Sequence, residues 1–205
     1  KLSRGLGDVY KRQVHNIFNK FLYKLKIKEF KSKNIEKKLV RNPNSNKGDY
    51  GHVLIVAGNL GFGGAALLSS KGVLASGAGL ATLATRKEHL SAALTYCPEV
   101  MTKTVESISD LENHLPNKTV ICIGPGLGRN YWADQMLYKA INFAAKENLP
   151  ILIDADGLNI LSENRLKIKL PKKLILTPHP GEAARLLKTK AVSYTHLTLP
   201  TTMLV

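Results

Sequence analysis

The sequence predicts an α/β fold: a mainly parallel sheet flanked by helices on both faces. Two patterns predict it, short continuous apolar runs and helical periods between them, and the 44% hydrophobic content with 16 glycines suits such a chain. Continuous apolar runs mark strands buried on both faces, and strand alternating with helix implies right-handed crossovers.

Strands are expected at residues 52–57 (HVLIVA), 79–85 (GLATLAT), 119–123 (TVICI), 150–154 (PILID) and 173–177 (KLILT). Helices are expected at 64–76, 88–96, 130–147 and 181–187. Residues 14–38 also carry a helical apolar period, with lysines between Ile17, Phe18, Phe21, Leu22, Leu25 and Phe30. Residues 41–51 (RNPNSNKGDYG) then read as a boundary loop.

The chain has 205 residues and a net charge of +15. Most of that charge lies in the first 50 residues, where 14 basic side chains face 4 acidic ones. The lysines from Lys20 to Lys47 lack the aromatic or arginine stacking pattern of single-strand binding, so a solvated arm is expected and no nucleic-acid partner. No apolar run reaches the roughly 18–20 residues that span a bilayer, so no membrane partner is expected. Two isolated cysteines, Cys97 and Cys122, speak against a disulfide framework or zinc finger and suit a reducing, cytoplasmic setting.

Both ends look foreign to the middle. RGLGDVYKRQ (4–13) and SYTHLTLPTT (193–202) resemble translated adaptor sequence. The expected organisation is therefore a non-native segment at 1–13, a basic helix and linker at 14–45, a partial domain at 46–191 and a non-native segment at 192–205. That domain would be incomplete at its C-terminus and would leave a sheet edge uncovered.

In parallel sheets ligands gather at the carboxyl ends of the strands, which places the informative residues just after each apolar run. Those positions hold GNLGFGGAA (58–66), GPGLG (124–128), Asp154-Ala155-Asp156 and TPHPGE (177–182). Glycines let backbone approach a guest, and helix entrances offer N–H groups to an anion. A dinucleotide fingerprint can be read through Gly61, Gly63 and Ala66, but it begins three residues late. An NAD-type site would want an acid after the second strand, where Arg86-Lys87-Glu88 stands, leaving only an NADP-binding oxidoreductase open. No lysine follows the glycines as a P-loop requires. Asp156 has the alternative reading of a helix cap, Asp154 that of a loop anchor, and His179 that of a structural turn residue. Glu182 suits a first helical turn whatever else it does.

KGDYGHVLIVAG, GFGGAALLSSKGVLASGAGLATLAT, PEVM, GPGLG, DADGLNIL and LTPHPGEAARLL follow one another here in an order that resembles the NAD(P)H-hydrate dehydratases, nicotinamide-repair enzymes of ribokinase-like fold. The HPGE version resembles the bacterial type. The resemblance implies a hydro-lyase that returns (S)-NAD(P)H hydrate to NAD(P)H, with ADP (or ATP) as co-substrate and Mg2+ as cofactor. A small-molecule kinase of the same fold is the alternative.

By the same likeness Ala65, Gly126 and His179 would contact the hydrated nucleotide. Glu182 would lie near phosphate and metal, supported by Asp154 and Asp156, with no certain metal ligand. A fused or separate epimerase and a homo-oligomer are the expected partners. The family's catalytic aspartate, in a later Gly-Thr-Gly-Asp segment, has no counterpart before residue 191, so this polypeptide is expected to be inactive.

Overall fold

The computed structural model of the protein describes residues 41–163, 166, 168–187 and 203–204. The basic helical period at 14–38 lies outside them.

A short 3₁₀ turn, Lys47–Tyr50, leads into the domain and is held by a capping box between Asn46 and Asp49. Then strands and helices alternate: β1 (His52–Val56), α1 (Gly63–Ala75), β2 (Leu80–Thr85), α2 (Leu90–Tyr96), β3 (Met101–Thr104), α3 (Ile108–His114), β4 (Val120–Ile123), α4 (Tyr131–Lys146), β5 (Ile151–Ile153), α5 (Ala155–Glu163), β6 (Leu174–Leu176) and α6 (Pro180–Leu186). A two-residue strand, β7 (Met203–Leu204), follows.

The strand order is β3-β2-β1-β4-β5-β6-β7, with β1 to β6 parallel and β7 antiparallel to β6. All five predicted strands and all four predicted helices of the domain are present. β3 is an addition: its MTKT is half exposed and offers no apolar run to read. α3 and α5 are additions too, each short, and α5 carries an internal glycine.

β1 is buried on both faces, as its unbroken apolar run demands. Leu54 and Val56 join the larger core with α3, α4 and α5, through Leu111, Met136, Ile141 and Leu158. Ile55 joins the smaller one on the opposite face, with Ala66 of α1 and Ala93 of α2. Helices therefore cover both sides.

On its outer side β6 meets the two-residue β7. Ile175 pairs with Leu204 and Leu176 with Met203. An edge strand offers a row of free backbone donors and acceptors, which a short β-prone segment can pair with whatever its origin.

β1 lies between β2 and β4, so the connections leaving β1 and β4 depart in opposite directions. Such a switch point opens a crevice at the carboxyl ends of the two strands. Both glycine turns stand there.

Candidate functional site

The turn after β1 and the turn after β4 are stitched together by backbone. Gly58 N–H donates to the Pro125 carbonyl at 3.2 Å, and Asn59 N–H to the Gly126 carbonyl at 2.7 Å. The Asn59 side chain, only 4% exposed, completes the seam. Its Nδ2 donates to Leu127 O at 2.9 Å and to Asn130 Oδ1 at 3.0 Å, and its Oδ1 accepts from Leu60 N–H at 2.8 Å. A buried amide satisfied on three sides holds both turns in one geometry.

Two of the expected substrate residues meet at this seam. Gly126 has φ 57°, and a Cβ on it would stand 2.7 Å from Phe62 O and 2.9 Å from the Ala65 methyl. Gly126 thus packs directly on Phe62 and the Ala65 methyl, an approach that its missing Cβ allows. α1 begins there with no side-chain cap and no acidic residue in its first turn. Its leading N–H groups carry partial positive charge suited to an anion.

The acids after β5 act on the β4 turn. Asp156, in the first turn of α5, accepts Gly128 N–H on Oδ2 at 2.9 Å. The Asp154 carbonyl accepts Gly157 N–H at 3.0 Å and lies against Gly124. Ala155 between them has φ 46°, a left-handed conformation that an alanine adopts at a cost of about 1–2 kcal/mol. Burial, with the Asp154 charge adding, pushes the Cys122 thiol up to about 12. That thiol remains protonated and is no nucleophile.

His179 and Glu182 form one unit at the start of α6. The Gly181 N–H donates to His179 Nδ1 at 3.0 Å, while the His179 N–H donates to Glu182 Oε2 at 2.9 Å. His179 Nε2 lies 3.3 Å from Glu182 Oε1. An Nδ1 that accepts and an Nε2 that faces a carboxylate require the proton on Nε2. The His179 side chain is 61% exposed and Glu182 only 6%, so the acid anchors and the imidazole presents an edge to solvent. α6 is joined to the rest of the rim by Thr177 N–H donating to Ile153 O at 3.3 Å and by Arg185 Nε donating to Asn159 Oδ1 at 2.9 Å. Thr177 Oγ1 beside them is buried without a partner.

All four motif segments thus lie along one rim in the order of their strands. Glu182, Asp154 and Asp156 do not assemble a metal centre: among the described residues no group of three or more His, Cys, Asp or Glu could hold an ion. Two residues that reading by motif missed brace the rim. Asn59 is one. The other is His89, whose Nε2 lies 2.9 Å from Asn59 O and whose ring packs on Gly63. Each works through backbone distant in sequence, which leaves no spacing signal. Arg86, first of the Arg86-Lys87-Glu88 segment after the second strand, is paired with Glu106 at 2.8 Å and lies 5.3 Å over the Trp132 ring.

A family model described as NAD(P)H-hydrate dehydratase matches residues 53–200. The bifunctional NAD(P)H-hydrate repair enzyme Nnr of Coxiella burnetii is 43% identical over 147 residues, covering 72% of this chain and 29% of the relative. An ADP-dependent (S)-NAD(P)H-hydrate dehydratase of Listeria monocytogenes is 38% identical over 146 residues, covering 71% of this chain and 52% of that one. A ribokinase-like superfamily protein of Enterococcus faecalis superimposes with a TM-score of 0.66 at 33% identity, over 72% of this chain and 51% of the other. The chain spans under a third of the bifunctional relative and about half of the single-activity one. Among the described residues no helix is long and apolar enough to cross a membrane.

Proposed function

The chain belongs to the NAD(P)H-hydrate dehydratase family, and from that premise we propose that its rim is the substrate-binding half of a site for ADP-dependent dehydration of (S)-NAD(P)H hydrate. A hydroxyl on the hydrated ring is a poor leaving group. Phosphorylation by ADP would yield a phosphate ester and AMP, and loss of phosphate and a ring proton would restore the dihydronicotinamide. ADP and Mg2+ enter this reading from the relatives' chemistry. The described carboxylates do not fit a metal centre, and no step here runs through one.

The observation that carries the reading is the glycine crevice, where Gly126 packs on Phe62 and Ala65 beside the uncapped start of α1. A pyrophosphate would lie along the uncapped N–H groups of α1, two strand positions from His179 and Glu182 of the β6 loop, across the β5 loop. The His179 edge, held by Glu182, would then orient the hydrated ring. A fused or separate epimerase belongs to the same reading. So does self-association, favoured by exposed Leu60, Phe62, Leu68, Leu94 and Tyr96 around α1 and α2.

Equilibrium binding tests it. The 205-residue chain should take up hydrated NADH, and His179→Ala should weaken that binding about tenfold as the packing face of the imidazole is lost. His179→Asn keeps a residue able to cap α6, so it should weaken binding equally if the imidazole itself meets the ligand. Unchanged affinity in both variants would remove His179 from the site.

A further inference from the structure

A cavity of about 380 Å³ opens on the same rim, on the β2 and β3 side of the glycine turns. It has no part in the site built above. Arg86 from the end of β2, Glu106 and Ser109 from the β3 side, and Tyr131, Trp132 and Gln135 from the start of α4 line it. Its volume is at the small end of the roughly 300–1,000 Å³ that ligand pockets occupy.

Its chemistry selects for a flat ring. Tyr131 lines the cavity yet is 79% exposed, so one aromatic face is available for stacking, while Trp132 lies deeper and donates its Nε1–H to Val105 O at 3.1 Å. The single cation on the wall, Arg86, is neutralised by Glu106 at 2.8 Å and rests over Trp132. A wall whose charges cancel gives little to a phosphate, whereas an uncharged heterocycle loses less water on entering. Ser109 and Gln135 supply a hydroxyl and an amide for the edge of such a ring.

The cavity also continues the phosphate crevice. Arg86 N–H donates to Gly58 O at 3.4 Å, and Tyr131 directly follows Asn130, which Asn59 holds at 3.0 Å. Along the sheet the cavity stands at β2 and β3, the glycine turns at β1 and β4, and His179 after β6. Four strand spacings of roughly 4.8 Å, ~19 Å in all, separate β2 from β6. An extended dinucleotide has that reach.

We propose that the Arg86–Tyr131–Trp132 cavity binds the adenine ring of the dinucleotide substrate, with the pyrophosphate at the glycine turns and the hydrated ring toward His179. This rests on the dehydratase reading for the identity of the dinucleotide, and on the cavity alone for the purine.

Trp132 is the only tryptophan in the chain, so its fluorescence reports the cavity directly. Adenosine and AMP should quench it saturably, and nicotinamide mononucleotide, which lacks the purine, should not. Tyr131→Ala should weaken adenosine and hydrated NADH alike by about tenfold, within the range measured for base stacking, and Tyr131→Phe should restore both. Equal quenching by nicotinamide mononucleotide, or full adenosine affinity in Tyr131→Ala, overturns the assignment. If hydrated NADH binds the wild-type chain while adenosine leaves Trp132 unchanged, the purine cavity fails and the dehydratase reading stands. If adenosine quenches with Tyr131 dependence while hydrated NADH never binds, the purine site stands and the dehydratase reading fails.

Discussion

Gly124 admits no other residue. Its φ is 125°, and a Cβ would lie 1.9 Å from the Asp154 carbonyl oxygen, a backbone atom that cannot turn aside. Gly124→Ala should cost about 2–4 kcal/mol, combining left-handed strain with overpacking, and urea unfolding measures it as a lower midpoint at unchanged slope. GPGLG showed in the sequence as a turn that brings backbone close to a guest, and at Gly124 the close neighbour is the protein's own Asp154 backbone. Asn59 was invisible by comparison. Its three hydrogen bonds go to Leu60, Leu127 and Asn130, and two of those lie about 70 positions away. Asp156 read equally well as a helix cap or a site acid, because the sequence does not show that its carboxylate turns back to Gly128.

Elements were legible in proportion to the apolar surface they bury. β1 and β4, buried on both faces, announced themselves, whereas β3 at the sheet edge, with Met101 and Lys103 exposed, did not. α3 is seven residues long and depends on its start. The Ser107 hydroxyl accepts Asp110 N–H at 3.2 Å, and the Asp110 carboxylate accepts the N–H groups of Glu106 and Ser107 at 3.0 and 2.9 Å. Those N–H donors, together with the Ser107 hydroxyl, hold the Asp110 carboxyl below its ordinary value. Ser107→Ala should cost roughly 1 kcal/mol. Amide exchange should show that loss first at Leu111, whose N–H belongs to this turn.

For the whole molecule, the strand order was the part least accessible to sequence. Alternation of strand and helix implied parallel neighbours, but which strands flank β1 depends on contacts between residues far apart. Stability against acid is likewise a property of the assembled sheet. His52, at the start of β1, meets Thr82 Oγ1 of β2 at 2.8 Å. Burial, and then the nearby Lys118 charge, holds its imidazole below the ordinary 6.5. The unfolded chain therefore takes up a proton before the folded one does. The His52 contribution is complete above pH 6.5 and drains away as pH falls from there to the lower folded value. His114, depressed by burial and by Lys103 and Lys118, adds to the same trend. Denaturant midpoints across that window should decline in the parent chain and decline less in His52→Gln.

The amide of Asn59 reaches the oxygen of Asn130 that also receives Ala133 N–H and so caps α4, the longest helix described. One shared atom makes the mouth of the crevice and the first turn of that helix a single mechanical joint. A guest that wedged the lips apart would fray α4 from its tip, and one that drew them together would tighten it. Occupancy at the rim would then be felt along all sixteen residues of the rod beneath it.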